Sequence, residues 1–234
     1  MKGKSKIVRR AAPGVLRELK SLADPDAARG MARFGITGGT VYGISVTRLR
    51  ALARRIGRDH ALARRLWASG VHEARILASL VDDPALVTEA QTEAWVRDFD
   101  SWDVCDQVCG NLFDKTPFAY RKALAWSRRR EEFVRRAGFA LMAWLAFHDK
   151  AATDARLRRF LPAITRAATD ERNYVKKAVN WALRQIGKRN RALNREAIRA
   201  ARAIQRLESP AARWIAADAL RELTGEAAQR RLRR

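Results

Sequence analysis

The sequence predicts an all-α protein built as a stack of helix pairs, and three observations carry that reading. Ala, Leu, Arg and Glu dominate while β-branched alternation is scarce. The 6 prolines fall mostly between periodic stretches rather than inside them. An apolar helical pattern also restarts along the second half of the chain, at intervals of roughly 34 to 41 residues.

The restarts lie at Trp102, at Val134-Arg135-Arg136-Ala137, at Val175-Lys176-Lys177-Ala178 and at Ala211-Ala212-Arg213-Trp214. That period suits a HEAT-like helical-repeat solenoid, in which each helix pair buries its apolar face against its neighbours. The second helix of each pair then lines a concave, basic groove, so Trp102, Arg136, Trp181 and Arg213 are expected to face one groove. A plain helical bundle is the alternative.

Taken in order, the chain opens on a basic tail over residues 1–12, expected to be disordered. A single repeat domain is expected over 13–225, followed by a second basic tail over 226–234. Helices are expected over 14–23 and 25–34, the latter capped by Asp24. A loop over 35–43 holds Gly38-Gly39, which lacks the lysine and spacing of a phosphate-binding loop. Helices then follow over 46–56, 59–69, 71–81, 88–98, 102–113 and 118–127. Thr116-Pro117 is expected to cap the last of these. Longer helices are expected over 131–147, 151–168, 170–188, 191–207 and 210–223.

Charge narrows the partner. Lys plus Arg number 48 against 25 Asp plus Glu, a formal charge of +23. Arginine outnumbers lysine, and its planar fork of donors suits phosphate oxygens. A nucleic acid is the expected polyanion, with an acidic protein or a membrane surface as the alternative. No apolar run approaches the ~18–20 residues needed to span a bilayer. Cys105 and Cys109, four apart on one helix, read as reduced core thiols rather than a disulfide.

No Ser/His/Asp set, metal-ligand spacing or dinucleotide motif is present. His72 and His148 read as helix-surface residues. Trp67, Trp95, Trp126 and Trp144 sit in apolar patterns and are expected in the core. Trp102 and Trp181 differ, because other faces of their helices already supply a core. Ser101 is placed to cap the helix beginning at Trp102, and Asp103 adds charge to its first turn. Trp102 and Asp106, four apart, share a face, opposite an apolar side made by Val104, Cys105 and Val108. The alternative for this pair is a core indole and a structural acid.

Ser101-Trp102-Asp103-Val104-Cys105-Asp106 resembles the Trp-Asp-x-x-Asp motif of the AlkD-like DNA alkylation repair glycosylases. Val134-Arg135-Arg136-Ala137 is similar to that family's Arg-Ala helix, and Lys176 to Arg184 to its Lys-Ala-x-x-Trp-x-Leu-Arg stretch. The resemblance spans about residues 25 to 220 and implies a HEAT-like solenoid. It implies excision of cationic N-alkylated purines such as 3-methyladenine and 7-methylguanine from duplex DNA. No metal or cofactor is implied, and no flipping of the damaged base into a pocket.

Carried over by position, Asp106 is the catalytic carboxylate, and Trp102 and Trp181 pack against the backbone of the damaged nucleotide. Arg136 contacts the DNA beside it, with Arg135, Lys177, Arg184 and Arg213 as further DNA-binding residues. The partner is alkylated double-stranded DNA rather than a membrane, and a cytoplasmic monomer is expected. Departures lie near the N-terminus, where Gly43-Ile44-Ser45-Val46 replaces a Gly-Ile-Gln-Thr-like turn and Phe34 replaces a frequent Tyr. Related HEAT-repeat paralogues bind branched DNA with little base excision, so a non-catalytic DNA-binding protein is the alternative.

Overall fold

The computed structural model describes residues 11–233, so the expected N-terminal tail lies outside the described residues except for Ala11 and Ala12. Ala12 already belongs to the first helix and is buried. Every described regular element is helical, apart from a single parallel bridge between Thr40 and Val71. The chain divides into two compact units, with the boundary at Trp95/Val96. The sequence carries no linker there because the boundary runs through one continuous helix, Glu89–Arg97.

The first unit holds α1 (Ala12–Ser21), α2 (Pro25–Ala32), α3 (Val46–Ile56), α4 (His60–Ala68) and α5 (His72–Val81), and leads into α6 (Glu89–Arg97). Asp24, Ser45 and Asp59 cap α2, α3 and α4 by accepting from Ala27, Arg48 and Leu62 backbone N–H groups. Val15, Leu19, Leu49, Leu62, Leu66 and Leu77 are buried, on faces set by helical periodicity. His72, expected on a helix surface, is also buried at the start of α5.

The loop before α3 is organised by an acid from inside the unit. Glu73, fully buried, accepts from the backbone N–H groups of Tyr42 at 2.9 Å, Gly43 at 2.7 Å and Ile44 at 3.2 Å. Those amides would otherwise form an anion-binding concavity. Gly43 sits at φ +77°, and a Cβ there would lie 2.3 Å from the Asp24 carbonyl. Only glycine fits. The glycine-rich loop is therefore a clamp on the protein's own carboxylate.

The second unit runs through α7 (Trp102–Asn111), a 3-10 turn (Phe113–Lys115), α8 (Ala119–Trp126), α9 (Glu132–His148), α10 (Asp154–Arg158), α11 (Leu161–Ala167), α12 (Asn173–Gly187), α13 (Arg191–Gln205), α14 (Pro210–Thr224) and α15 (Glu226–Arg233). The helix expected over 151–168 is broken in two. Pro162 opens α11 and cannot donate a helical hydrogen bond, while its ring would crowd the carbonyl four residues back. Thr116 does not cap α8; its hydroxyl donates back to the Phe113 carbonyl at 2.8 Å. The tail expected from residue 226 is helical as α15. Gln229 donates to the Leu223 carbonyl and to Asn194 Oδ1, and Arg191 Nε donates to the Leu232 carbonyl.

Two layers result. Helices α7, α9, α12 and α14 pack side by side, while α8 lies on α9, α11 on α12, and α13 on α12 and α14. The repeat is written in hydrogen bonds that join residues 38 apart: Asp106 with Trp144, Arg136 with Tyr174, Asn180 with Asp218, and Arg184 with Glu222. Stacked helix pairs, rather than a bundle, are what place equivalent positions of successive inner helices in contact.

Candidate active site

The site is built on the inner helices of the second unit, starting from α7. Ser101 precedes α7 in extended backbone, but its hydroxyl forms no capping bond; Oγ is buried without a hydrogen-bond partner. The helix is held by packing instead. Val104, Cys105, Val108 and Cys109 are fully buried, and the two thiols approach the α9 carbonyls of Phe133 and Ala137, each at 3.7 Å. Both cysteines are free, and burial keeps the Cys109 thiol protonated, well above its ordinary range. With that side committed to α9, Trp102 and Asp106 emerge on the other.

Asp106 is gripped by Arg136. The guanidinium donates from Nε to Oδ1 at 2.9 Å and from Nη2 to Oδ2 at 2.7 Å, while Nη1 donates to the Tyr174 carbonyl on α12 at 2.6 Å. Arg136 also sits over the Trp102 ring, 5.9 Å from its centroid. Three inner helices are thereby tied through one side chain. Its side chain is 6% exposed against 15% for Asp106, so the pair shows its acid rather than its base to solvent.

Burial pushes the Asp106 carboxyl above its ordinary value, against the lowering effect of Arg136. Burial works against the Arg136 cation as well, yet the Asp106 carboxylate more than offsets it and holds the guanidinium protonated. The cost of desolvation thus falls mainly on the acid. An anion in this state gains strongly from any positive charge placed beside it.

Trp144 belongs to this site and not to the core where its apolar neighbours placed it. Its ring is half-buried, and Nε1 donates to the Asp106 carbonyl at 2.9 Å. It meets the Trp181 ring edge-on at 5.3 Å between centroids. Gly110 makes room for it: a Cβ there would lie 2.4 Å from the indole. The signal was available, since Trp144 lies two helical i,i+4 steps beyond Arg136 and one 38-residue interval beyond Asp106. Gly110→Ala is expected to displace this indole and lower stability by about 1–3 kcal/mol. A lower thermal midpoint and a red-shifted tryptophan emission check it.

Trp102, Asp106, Arg136 and Trp181 are therefore joined, the last through Trp144. The other expected DNA contacts are more dispersed. Lys177 is exposed on α12, four residues before Trp181, and Arg213 is exposed on α14. Arg135 is paired with Asp170 at 3.3 Å. Arg184, expected on DNA, forms ion pairs with Glu222 and, at 3.4 Å, with Asp218. Arg136, expected on DNA too, spends three of its donors on Asp106 and Tyr174. His148 is exposed as expected; it stacks on Trp144 at 4.7 Å and pairs with Asp114 at 2.5 Å. Among the described residues, no group of three or more His, Cys, Asp or Glu is placed to hold a metal ion.

A layered repeat of helix pairs, with a carboxylate–guanidinium pair among indoles on its inner helices, defines a HEAT-like helical-repeat protein. A solved structure described as a new family of proteins related to the HEAT-like repeat DNA glycosylases, with affinity for branched DNA structures, is similar in fold. The TM-score is 0.78 at 19% identity, over 95% of this chain and 96% of that one. The family model for DNA alkylation repair enzymes matches residues 15–223, and the chain belongs to that family. No curated protein matches it in sequence.

Proposed function

We propose that the protein is a monofunctional DNA glycosylase that hydrolyses cationic N-alkylated purines, such as 3-methyladenine and 7-methylguanine, from duplex DNA. The observation that carries this reading is the position of Asp106: a desolvated carboxylate, fixed by Arg136, between Trp102 and the Trp144–Trp181 pair. An N-alkylated purine is already positively charged, so the electrons of its glycosidic bond leave with the base and no general acid is needed. The sugar is left as an oxocarbenium-like cation. Asp106 stabilises that charge and orients the water that adds to the sugar, whose proton passes to the carboxylate or to solvent. Trp102 and Trp181 hold the cationic nucleotide by the attraction of indole faces for positive charge. Lys177 and Arg213 anchor flanking phosphates, with Arg135 and Arg184 contributing at longer range. The enzyme needs neither metal nor cofactor and acts as a monomer.

A second reading is a DNA-structure-binding protein without excision. It is favoured by one feature, the engagement of both Asp106 oxygens by Arg136. Alkylated duplex incubated with the protein decides between them. Release of free 3-methyladenine or 7-methylguanine, with abasic sites left behind, is the expected result. Tight, salt-sensitive binding to junctions or flaps with no base released would establish the second reading instead.

A further inference from the structure

A cleft beside the α9 and α12 C-termini carries chemistry that base excision does not use. It has a volume of about 500 Å³ and is lined by Phe147, Lys150, Gln185, Lys188, Arg189 and Arg231 among others, with no carboxylate among the described residues of its lining. Phe147 is 44% exposed, so part of its ring is open to the cleft. It touches Trp144 edge-on at 6.1 Å, and Lys150 Nζ lies 4.9 Å from its centroid. The aromatic series Trp181–Trp144–Phe147 therefore runs from the Asp106 site to the cleft.

Among the described residues, charge in the cleft is not internally neutralised. Lys188 is paired with Glu222 at 2.7 Å, which leaves Lys150, Arg189 and Arg231 as the cations facing the space. Arg189 spends one donor on the Lys150 carbonyl, out of the five a guanidinium offers. Its position is thus fixed while other donors remain for a ligand. A flat apolar face beside fixed cations is the pattern that holds unpaired nucleotides, where a base stacks and its phosphates are neutralised. A duplex cannot use it, because paired bases keep their faces stacked and the cleft is too small to admit a double helix.

We propose that this cleft binds a single-stranded DNA arm leaving the duplex, one base stacked on Phe147 and its phosphates on Lys150, Arg189 and Arg231. The site is separate from base excision and does not depend on it. Fluorescence anisotropy with the full chain tests it, using a blunt duplex and the same duplex carrying a short single-stranded arm. The arm is expected to raise affinity about tenfold, as one base–aromatic stack provides. Phe147→Ala should remove most of that gain and Lys150→Glu should remove it and flatten its salt dependence. Lys150→Glu should leave blunt-duplex affinity and base release unchanged.

Equal affinity of the wild-type chain for the two probes would overturn the proposal. So would a gain that survives both variants, or variants that weaken the two probes equally. Displacement of the arm by free dAMP at comparable concentration would make the cleft a mononucleotide site and overturn the strand assignment. Lys150 is exposed and its side chain supports no buried contact, so Lys150→Glu reads binding even where Phe147→Ala disturbs Trp144. Loss of excision in Asp106→Asn leaves these binding results standing, so the two readings fail separately.

Discussion

Asp106→Asn is expected to lower base release from alkylated duplex by about 10²–10³-fold while duplex affinity stays at the wild-type level. The substitution removes the charge and also leaves the buried Arg136 cation without its counter-ion, so some loss of stability is expected with it. Asparagine keeps the volume of the side chain and one oxygen that still accepts from Arg136, so α7 and α9 remain joined. What is lost is the anion that faces the developing sugar cation, an interaction present in the transition state and almost absent before it. Single-turnover release of 7-methylguanine, measured beside anisotropy on the same duplex, separates the two effects. Normal turnover by this variant would remove Asp106 from the mechanism. A pH series gives an independent check. The carboxylate is the working form, and burial raises its pKa, so wild-type release should fall as pH is lowered through that raised value. The fall therefore comes at higher pH than for an ordinary aspartate, and the residual release of the Asn variant lacks it.

Much of this arrangement is legible in the sequence, for identifiable reasons. The 46–56 helix has the bounds of α3, because a Ser cap precedes it and a Gly follows it. Trp102 and Asp106 share a face, as their spacing requires, and the apolar side of α7 is buried. Motifs distributed over α7, α9 and α12 identify the family because each inner helix contributes one segment to the same cluster. Pair partners are another matter. Whether an arginine meets phosphate or a carboxylate depends on what lies 38 residues away, as for Arg184 with Glu222. Trp144 looks like core because its neighbours Met142, Ala143 and Leu145 are, and only Gly110 on another helix opens the space it occupies. Glu73 likewise meets the amides of Tyr42, Gly43 and Ile44 about 30 residues earlier in the chain. These are long-range facts, and local periodicity does not contain them.

Arg136→Met is expected to destabilise the fold by about 3–5 kcal/mol, because it strands the Asp106 carboxylate in a buried site and frees the Tyr174 carbonyl. A phosphate contact at this position predicts something else: weakened binding to every DNA sequence, a shallower salt dependence and an unchanged thermal midpoint. The committed donors favour the first outcome. Removal of the guanidinium also takes away what holds the carboxyl down, so Asp106 should protonate at still higher pH and base release should fail with it. Arg136→Lys keeps the charge without the two-pronged geometry, and should recover stability further than it recovers release. The double variant Asp106→Asn/Arg136→Met isolates the pair. With both charges gone no ion is buried alone, so it should be more stable than Arg136→Met by itself. Additive losses in that cycle would mean that Arg136 acts apart from Asp106, and that the acid is positioned by the packing of α7 alone.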